Sequence, residues 1–193
     1  MRVVRWVEGG VPAGLRRQVL ELQDDAWPPP GGIASDGPSH DPLLHPVSLL
    51  LVDDTGTVLA ALDLLHKELR HAGHGYRVAG LSTVVTRAAV RGRGHGRRLV
   101  TEARAVLAAD PAVDLALFTC DRPLVPFYAA AGWAEVPGAV LVGGTAEDPF
   151  PSDAPGFDKA VMGGFFSERA RAHRADFPDS RIALHPGTVD RLW

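Results

Sequence analysis

Arg91-Gly92-Arg93-Gly94-His95-Gly96, followed by Arg97 and Arg98, is the stretch of this 193-residue chain best suited to hold an anion. Glycines without side chains let consecutive peptide N–H groups approach a phosphate. The apolar stripe Leu99, Val100, Ala103, Val106 and Leu107 that follows predicts a helix, whose N-terminus favours negative charge. Clustered arginines add a charge that a purely structural turn does not need. Spacing narrows the reading. A dinucleotide fingerprint begun at Gly92 or Gly94 requires glycine at 97 or 99, where Arg97 and Leu99 stand, and a Walker loop requires lysine where Arg97 follows Gly96. A pyrophosphate still fits.

Other reactive side chains are sparse. Cys120 is the single cysteine, which excludes an internal disulfide and a cysteine-rich zinc site; with no histidine beside it in sequence, it reads as a buried structural thiol. His66, His71 and His74 lack ligand spacing and read as solvated surface groups, so no metal is expected. His40 and His45 share a proline-rich loop, Pro28 to Pro46, with Asp36 and Asp41. Lining an acceptor site and simple exposure are both open for them.

Two segments carry a resemblance. Arg91, Gly94 and Gly96 meet the pattern Gln/Arg-x-x-Gly-x-Gly/Ala, and Phe127-Tyr128-Ala129-Ala130-Ala131-Gly132-Trp133 stands after the next expected strand. In these the chain resembles the GNAT superfamily of N-acetyltransferases, with Val84 to Val106 similar to its motif A. The resemblance implies direct acetyl transfer from acetyl-CoA to a primary amine. Arg91, Gly92, Arg93, Gly94, His95, Gly96 and Arg97 would then hold the cofactor pyrophosphate. Val84, Val85 and Thr86 would offer backbone groups to the pantetheine arm, and Tyr128 would protonate the departing sulfur. A phenol suits that role because its reference pKa of about 10 keeps it protonated at neutral pH. The alternative for Tyr128 is packing with Phe127 in the core. Asp121 departs from the asparagine that many members carry there.

Within the superfamily the chain is similar to aminoglycoside 2'-N-acetyltransferases in three features: the Tyr-x-x-x-Gly-Trp segment, a Gly/Pro/Asp-rich loop before the last strand, and the ending Asp190-Arg191-Leu192-Trp193. By that resemblance Asp190 and Trp193 would serve the acceptor, Trp193 through its carboxylate as proton acceptor, with Ser82 in the place of a family glutamate. The spacing from aspartate to tryptophan is one residue longer here. Carboxylates suit polycationic acceptors, and Asp24, Asp25, Asp36 and Asp41 are further candidates. For Trp193 the alternative is an anchor of the tail on the core. Other acceptors remain open, either a different small amine or a peptide or protein amine, as does a CoA-binding module without catalysis.

The elements that must position these groups follow from periodicity and turn residues. A helix is expected from Pro12 to before Trp27, then the long loop. Strands are expected at Val47–Val52, Thr57–Leu65 and Tyr76–Thr86, with turns at Asp53–Gly56 and Ala72–Gly75. The glycine-rich turn and its helix end at Asp110-Pro111, and a strand at Ala112–Thr119 completes a crossover between parallel neighbours. A short helix at Pro123–Ala131, strands at Trp133–Val142 and Phe157–Phe166, and a helix at Ser167–Ala175 follow. The fold class is α/β, of the α+β kind: a GNAT fold with a mixed sheet of about seven strands, splayed between the fourth and fifth, and helices on both faces. One domain is expected over 1–193, with residues 167–193 as an extension. A net charge of -3 argues against nucleic acid as partner, and no apolar run reaches membrane-spanning length. The expected setting is cytoplasmic and the expected partner a small-molecule amine, with a homodimer as an open arrangement.

Overall fold

The apolar runs in the first half of the chain become central strands because both of their faces are covered. The computed structural model describes residues 1–29, 31 and 36–193. Its first half contains β1 (Arg2–Val7), α1 (Ala13–Ala26), β2 (Val47–Val52), β3 (Val58–His71), β4 (His74–Thr86) and α2 (His95–Ala109). There follow β5 (Leu115–Asp121), α3 (Val125–Ala129), β6 (Ala134–Glu135), β7 (Val140–Gly144), β8 (Pro149–Pro151), β9 (Lys159–Phe165), α4 (Glu168–Ala172) and β10 (Arg181–Ala183). Seven strands form one mixed sheet in the order β1-β2-β3-β4-β5-β9-β6, and β10-β7-β8 form a second, three-stranded sheet. Among the described residues, the one parallel pair in the large sheet joins β4 to β5 across the α2 crossover.

Alternation along β2 shows how the layers are built. Leu49 and Leu51 point to the side where Leu99, Val100, Ala103 and Leu107 of α2 pack, whereas Leu50 and Val52 meet Val19 and Leu22 of α1. Helices therefore cover both faces, and residues 58–65 of β3 are buried without a break. The small sheet is tied to the far end of β3, where Lys67 donates to the carbonyls of Leu184 and His185. Phe177, Ile182, Leu184 and Trp193 enter the same core as the central strands.

Two local expectations change, and β1 joins the sheet. The polar stretch after Leu65 continues β3 to His71, because a two-residue turn with Ala72 at φ 46° and Gly73 at φ 80° pairs His71 directly with His74. The single strand expected over Trp133–Val142 is two: β6 pairs with β9, then the chain turns at Pro137 and Gly138 (φ 66°), and β7 enters the small sheet. A side chain at Gly138 would collide with Asp179, so the turn is fixed from two sides. β1 is an element that apolar-run criteria pass over. Arg2 and Arg5 interrupt its apolar residues, yet it pairs along its whole length with β2.

Candidate active site

The glycine-rich turn is built by the backbone. Gly92 at φ 77° and Gly94 at φ 82° adopt the left-handed conformation that other residues enter at a cost, and Gly94 caps α2. The first helical hydrogen bond runs from Arg98 N–H to Gly94 O, so the N–H groups of His95, Gly96 and Arg97 precede it and open outward from the helix end. Gly96 matters for packing instead: a Cβ there would stand 2.7 Å from Thr86 Oγ1 and 3.5 Å from the Phe127 ring, so its absence lets the helix start close against β4 and α3. Arg91 braces the turn through Nε to Thr86 O at 3.0 Å. A cavity of about 680 Å³ lies in front, walled by Val84, Val85 and Thr86 on one side and Pro126, Phe127 and Tyr128 on another. Arg91, Gly92, Gly94, His95, Gly96 and Arg97 line its floor, whereas Arg93 does not line it.

β4 is modified where it meets this cavity. Between the pairs Ala61↔Val85 and Asp63↔Ser82 it carries one residue more than β3, a bulge at which Thr83 takes φ 49°. On its other edge β4 pairs with β5 only at Val78 and Ala79. From Gly80 onward the strands diverge. Trp193 fills the start of that wedge, 3% exposed. Its indole N–H donates to Leu117 O at 2.8 Å, and its backbone oxygen accepts from Thr119 N–H at 2.9 Å and Thr119 Oγ1 at 3.0 Å. Residue 80 must be glycine here, since a Cβ would overlap the indole.

A second cavity, about 390 Å³, opens beyond the wedge. Trp27, Leu81, Phe157, Leu192 and Trp193 are among its walls, and it shares Val84, Leu124 and Tyr128 with the first. Tyr128 stands at the junction, 6% exposed, with its ring edge-on to Phe118 and Phe127 at centroid distances of 5.0 Å. Burial, followed by the nearby Cys120 and Asp121, raises the ionisation of its hydroxyl above the ordinary phenol value, so the proton is held at neutral pH. A large cavity ending on helix N–H groups and a small one, joined at a protonated phenol, suit a long phosphorylated donor and a compact acceptor.

The family profile described as an acetyltransferase (GNAT) domain matches residues 13–136, more than half of the chain. The chain belongs to the GNAT acetyltransferases. None of the curated protein sequences matches it. Among solved structures it is similar to an acyl-CoA N-acyltransferase from Pseudomonas aeruginosa, with 19% identity, TM-score 0.52 and coverage of 84% of this chain and 99% of that one. It is also similar to Escherichia coli ElaA (13%, TM-score 0.55, 84% and 99%) and to Arabidopsis thaliana NAA60 in complex with acetyl-CoA (10%, TM-score 0.54, 85% and 99%). At such identities the likeness is one of fold. With the family profile it makes the protein an acetyl-CoA N-acetyltransferase of mixed α/β fold.

The acetyltransferase places its other candidate residues unevenly. Ser82 and Trp193 face the smaller cavity; Asp36, Asp41 and Asp190 do not line it. Asp36 is exposed, and Asp41 Oδ1 accepts from Leu43 N–H in a local cap. Asp190 is 8% exposed and committed: Oδ1 lies 2.6 Å from His40 Nδ1, and Oδ2 accepts from Asp41 N–H at 2.9 Å. Asp121 does line the cavity, ion-paired with Lys159, whose ammonium also lies 4.6 Å from the Phe157 ring centre. Cys120 is buried as expected, and burial pushes its thiol up to about 11, so it supplies no thiolate at neutral pH. His66, His71 and His74 are half-buried rather than solvated; His66 lies near His45 O, and His74 stacks on His173. His45 is exposed, but His40 is 3% exposed in a polar cluster that neither reading of that loop anticipates. The signal for that cluster is Asp63, a charge inside a run buried on both faces, which requires a partner.

Proposed function

We propose that this acetyltransferase binds acetyl-CoA along the glycine-rich turn and β4, and transfers the acetyl group directly to a primary amine seated in the cavity bounded by Trp27, Phe157 and Trp193. The observation that carries the reading is the junction at Tyr128, one of the walls common to both cavities. The N–H groups of His95, Gly96 and Arg97, with Arg91 and Arg97, suit a pyrophosphate, and the wedge beyond Gly80 leaves the β5-facing edge of Val84, Val85 and Thr86 free of a strand partner. Acetyl-CoA supplies the activated thioester. The chain's own part is to orient it, exclude water and hold a proton on Tyr128 Oη for the leaving sulfur; the amine must arrive neutral, since an ammonium has no lone pair to attack with.

For the acceptor, Ser82 and Trp193 on the cavity wall support an amino sugar of the aminoglycoside kind. The remaining walls support an amine with an apolar or aromatic body more strongly. Trp27, Leu81, Phe157 and Leu192 are apolar, and the one side-chain carboxylate among the described lining residues, Asp121, is already neutralised by Lys159. Among the lining side chains a polycation would find little compensating charge. The test is a mass-resolved panel of aminoglycosides, arylalkylamines and short peptides with acetyl-CoA. Arylalkylamines should be preferred by about tenfold or more in kcat/KM, a difference of about 1.4 kcal/mol in transition-state binding. Preferential turnover of aminoglycosides would reverse the acceptor assignment.

A further inference from the structure

A buried polar cluster lies directly behind the site, between α1, β3, the bulge of β4 and the segment leading to Trp193. At its centre is His40, whose Nε2 is 3.2 Å from Asp63 Oδ2 and whose Nδ1 is 2.6 Å from Asp190 Oδ1. Asp63, 1% exposed, also accepts from Ser48 Oγ at 2.5 Å, from Gln23 Nε2 at 3.4 Å and from Thr83 Oγ1 at 2.6 Å. Thr83 is the bulge residue at φ 49°, adjacent to Val84. Asp190 begins the last four residues, which run through Leu192 to the Trp193 wedge. One imidazole thus joins, within two hydrogen bonds, the strand that faces the acetyl donor and the segment that walls the acceptor.

We infer that His40 is a positioning residue for acetyl transfer: by bridging Asp63 and Asp190 it holds the β4 bulge and the 190–193 segment in one relative position. The inference rests on the acceptor cavity proposed above. Two buried carboxylates facing each other require a cation between them, and removal of either partner leaves a buried charge unpaired. Burial opposes a charge on His40, but the hydrogen bonds it donates to Asp190 and Asp63 outweigh it and lift its pKa to about 9. Burial likewise opposes the charge on Asp63, yet His40, Ser48 and Thr83 hold its carboxyl below the usual range. Among the described residues, the other charged groups near the cluster include Asp41, whose N–H donates to Asp190, and the Glu8–Arg16 pair, which reaches it through Ser39; Gln23, Ser48 and Thr83 are neutral.

The sign of the pH effect is set by a folded pKa above the free value. The contribution of His40 is complete below about pH 6.5 and is lost as pH rises through about 9. Deprotonation should loosen the tail from the bulge.

The experiment compares wild type with His40→Gln, which can bridge only one carboxylate with its donors, and Asp190→Asn, which leaves His40 one carboxylate. Acetyl-CoA binding by calorimetry, thermal melting and steady-state kinetics against pH are measured on each. Expected are a fall in kcat of about tenfold and a raised amine KM in both variants, with acetyl-CoA affinity within about threefold. Wild-type kcat should decline through about pH 9; the decline should be absent in His40→Gln and lie at lower pH in Asp190→Asn. If His40→Gln does not fold, the displacement of the decline between wild type and Asp190→Asn decides. Folded variants with wild-type kcat, amine KM and pH profile, differing only in melting temperature, would overturn the positioning role. Failure of wild type to bind acetyl-CoA would instead strike at the donor site and leave the bridge untouched.

Discussion

The proposed donor and acceptor halves of this site are made in opposite ways. The donor half comes from two short contiguous stretches, 84–97 and 124–130 plus Ala26, and its decisive groups are backbone ones: glycines at positive φ, N–H groups at a helix start and a bulged strand edge. The acceptor half is assembled from side chains at Trp27, 81–84, 119–121, Phe157, Lys159 and 192–193, brought together only by the completed fold. Backbone geometry of the first kind tolerates change in most side chains but almost none in its glycines. Side-chain walls of the second kind can change one residue at a time, which is how one fold serves different amines.

The largest effect should follow from breaking the backbone half. Gly94→Val places a β-branched residue at φ 82°, with strain of about 1–2 kcal/mol, and sets a side chain where the anion must approach. Among the described residues, nothing beyond the local backbone lies within 4 Å of the added Cβ, so the chain should still fold. Acetyl-CoA affinity by calorimetry should drop by about 100-fold, or about 2.7 kcal/mol. Unchanged affinity would remove the turn from the donor site.

A loss in rate instead of in affinity is expected at the junction. Tyr128→Phe keeps the ring packing against Phe118 and Phe127 and deletes only the proton donor, so kcat should fall by about 100-fold while acetyl-CoA binding is preserved. The wild-type hydroxyl, raised by burial, should contribute no alkaline limb below the ordinary tyrosine range, which separates it from the decline assigned to His40. A variant with undiminished kcat would return Tyr128 to the core-packing role.

The same contrast explains what can be read from residue order alone. Arg91, Gly94 and Gly96, and the Phe127 to Trp133 segment, act through local spacing, and local spacing survives in a one-dimensional string of residues. Ala13–Ala26, Val47–Val52 and the β4-α2-β5 crossover are legible for that reason: apolar periodicity and turn residues determine them within a few positions. The His40–Asp190 contact spans 150 residues, and nothing near either residue announces the other. The proline-rich loop gives no hint that it delivers His40 into the core, and part of that loop, residues 30 and 32–35, lies outside the described residues. The acidic candidates Asp36, Asp41 and Asp190 rest on composition and on likeness of the ending, neither of which specifies direction. Packing does: it turns Asp190 inward to His40 and leaves Trp27, Leu81, Phe157 and Leu192 beside the Asp121–Lys159 pair on the cavity walls.

The finest test of the contrast acts on one of those walls. Trp27 follows α1 directly, remains 55% exposed and lines the acceptor cavity without lining the donor cavity. Its exposure means that truncation leaves no interior void, so Trp27→Ala should shift the melting temperature little. If the acceptor half is an assembly of independent side chains, the amine KM should rise by about five- to tenfold, roughly 1 kcal/mol of lost apolar contact, with acetyl-CoA affinity and kcat near wild type. The loss should grow with the apolar area of the amine, since the missing indole can only be felt by a body that reaches it. An equal loss for every amine tested, or a matching loss of acetyl-CoA affinity, would mean that Trp27 supports the junction as a whole, and the two halves would then be less separable than their construction implies.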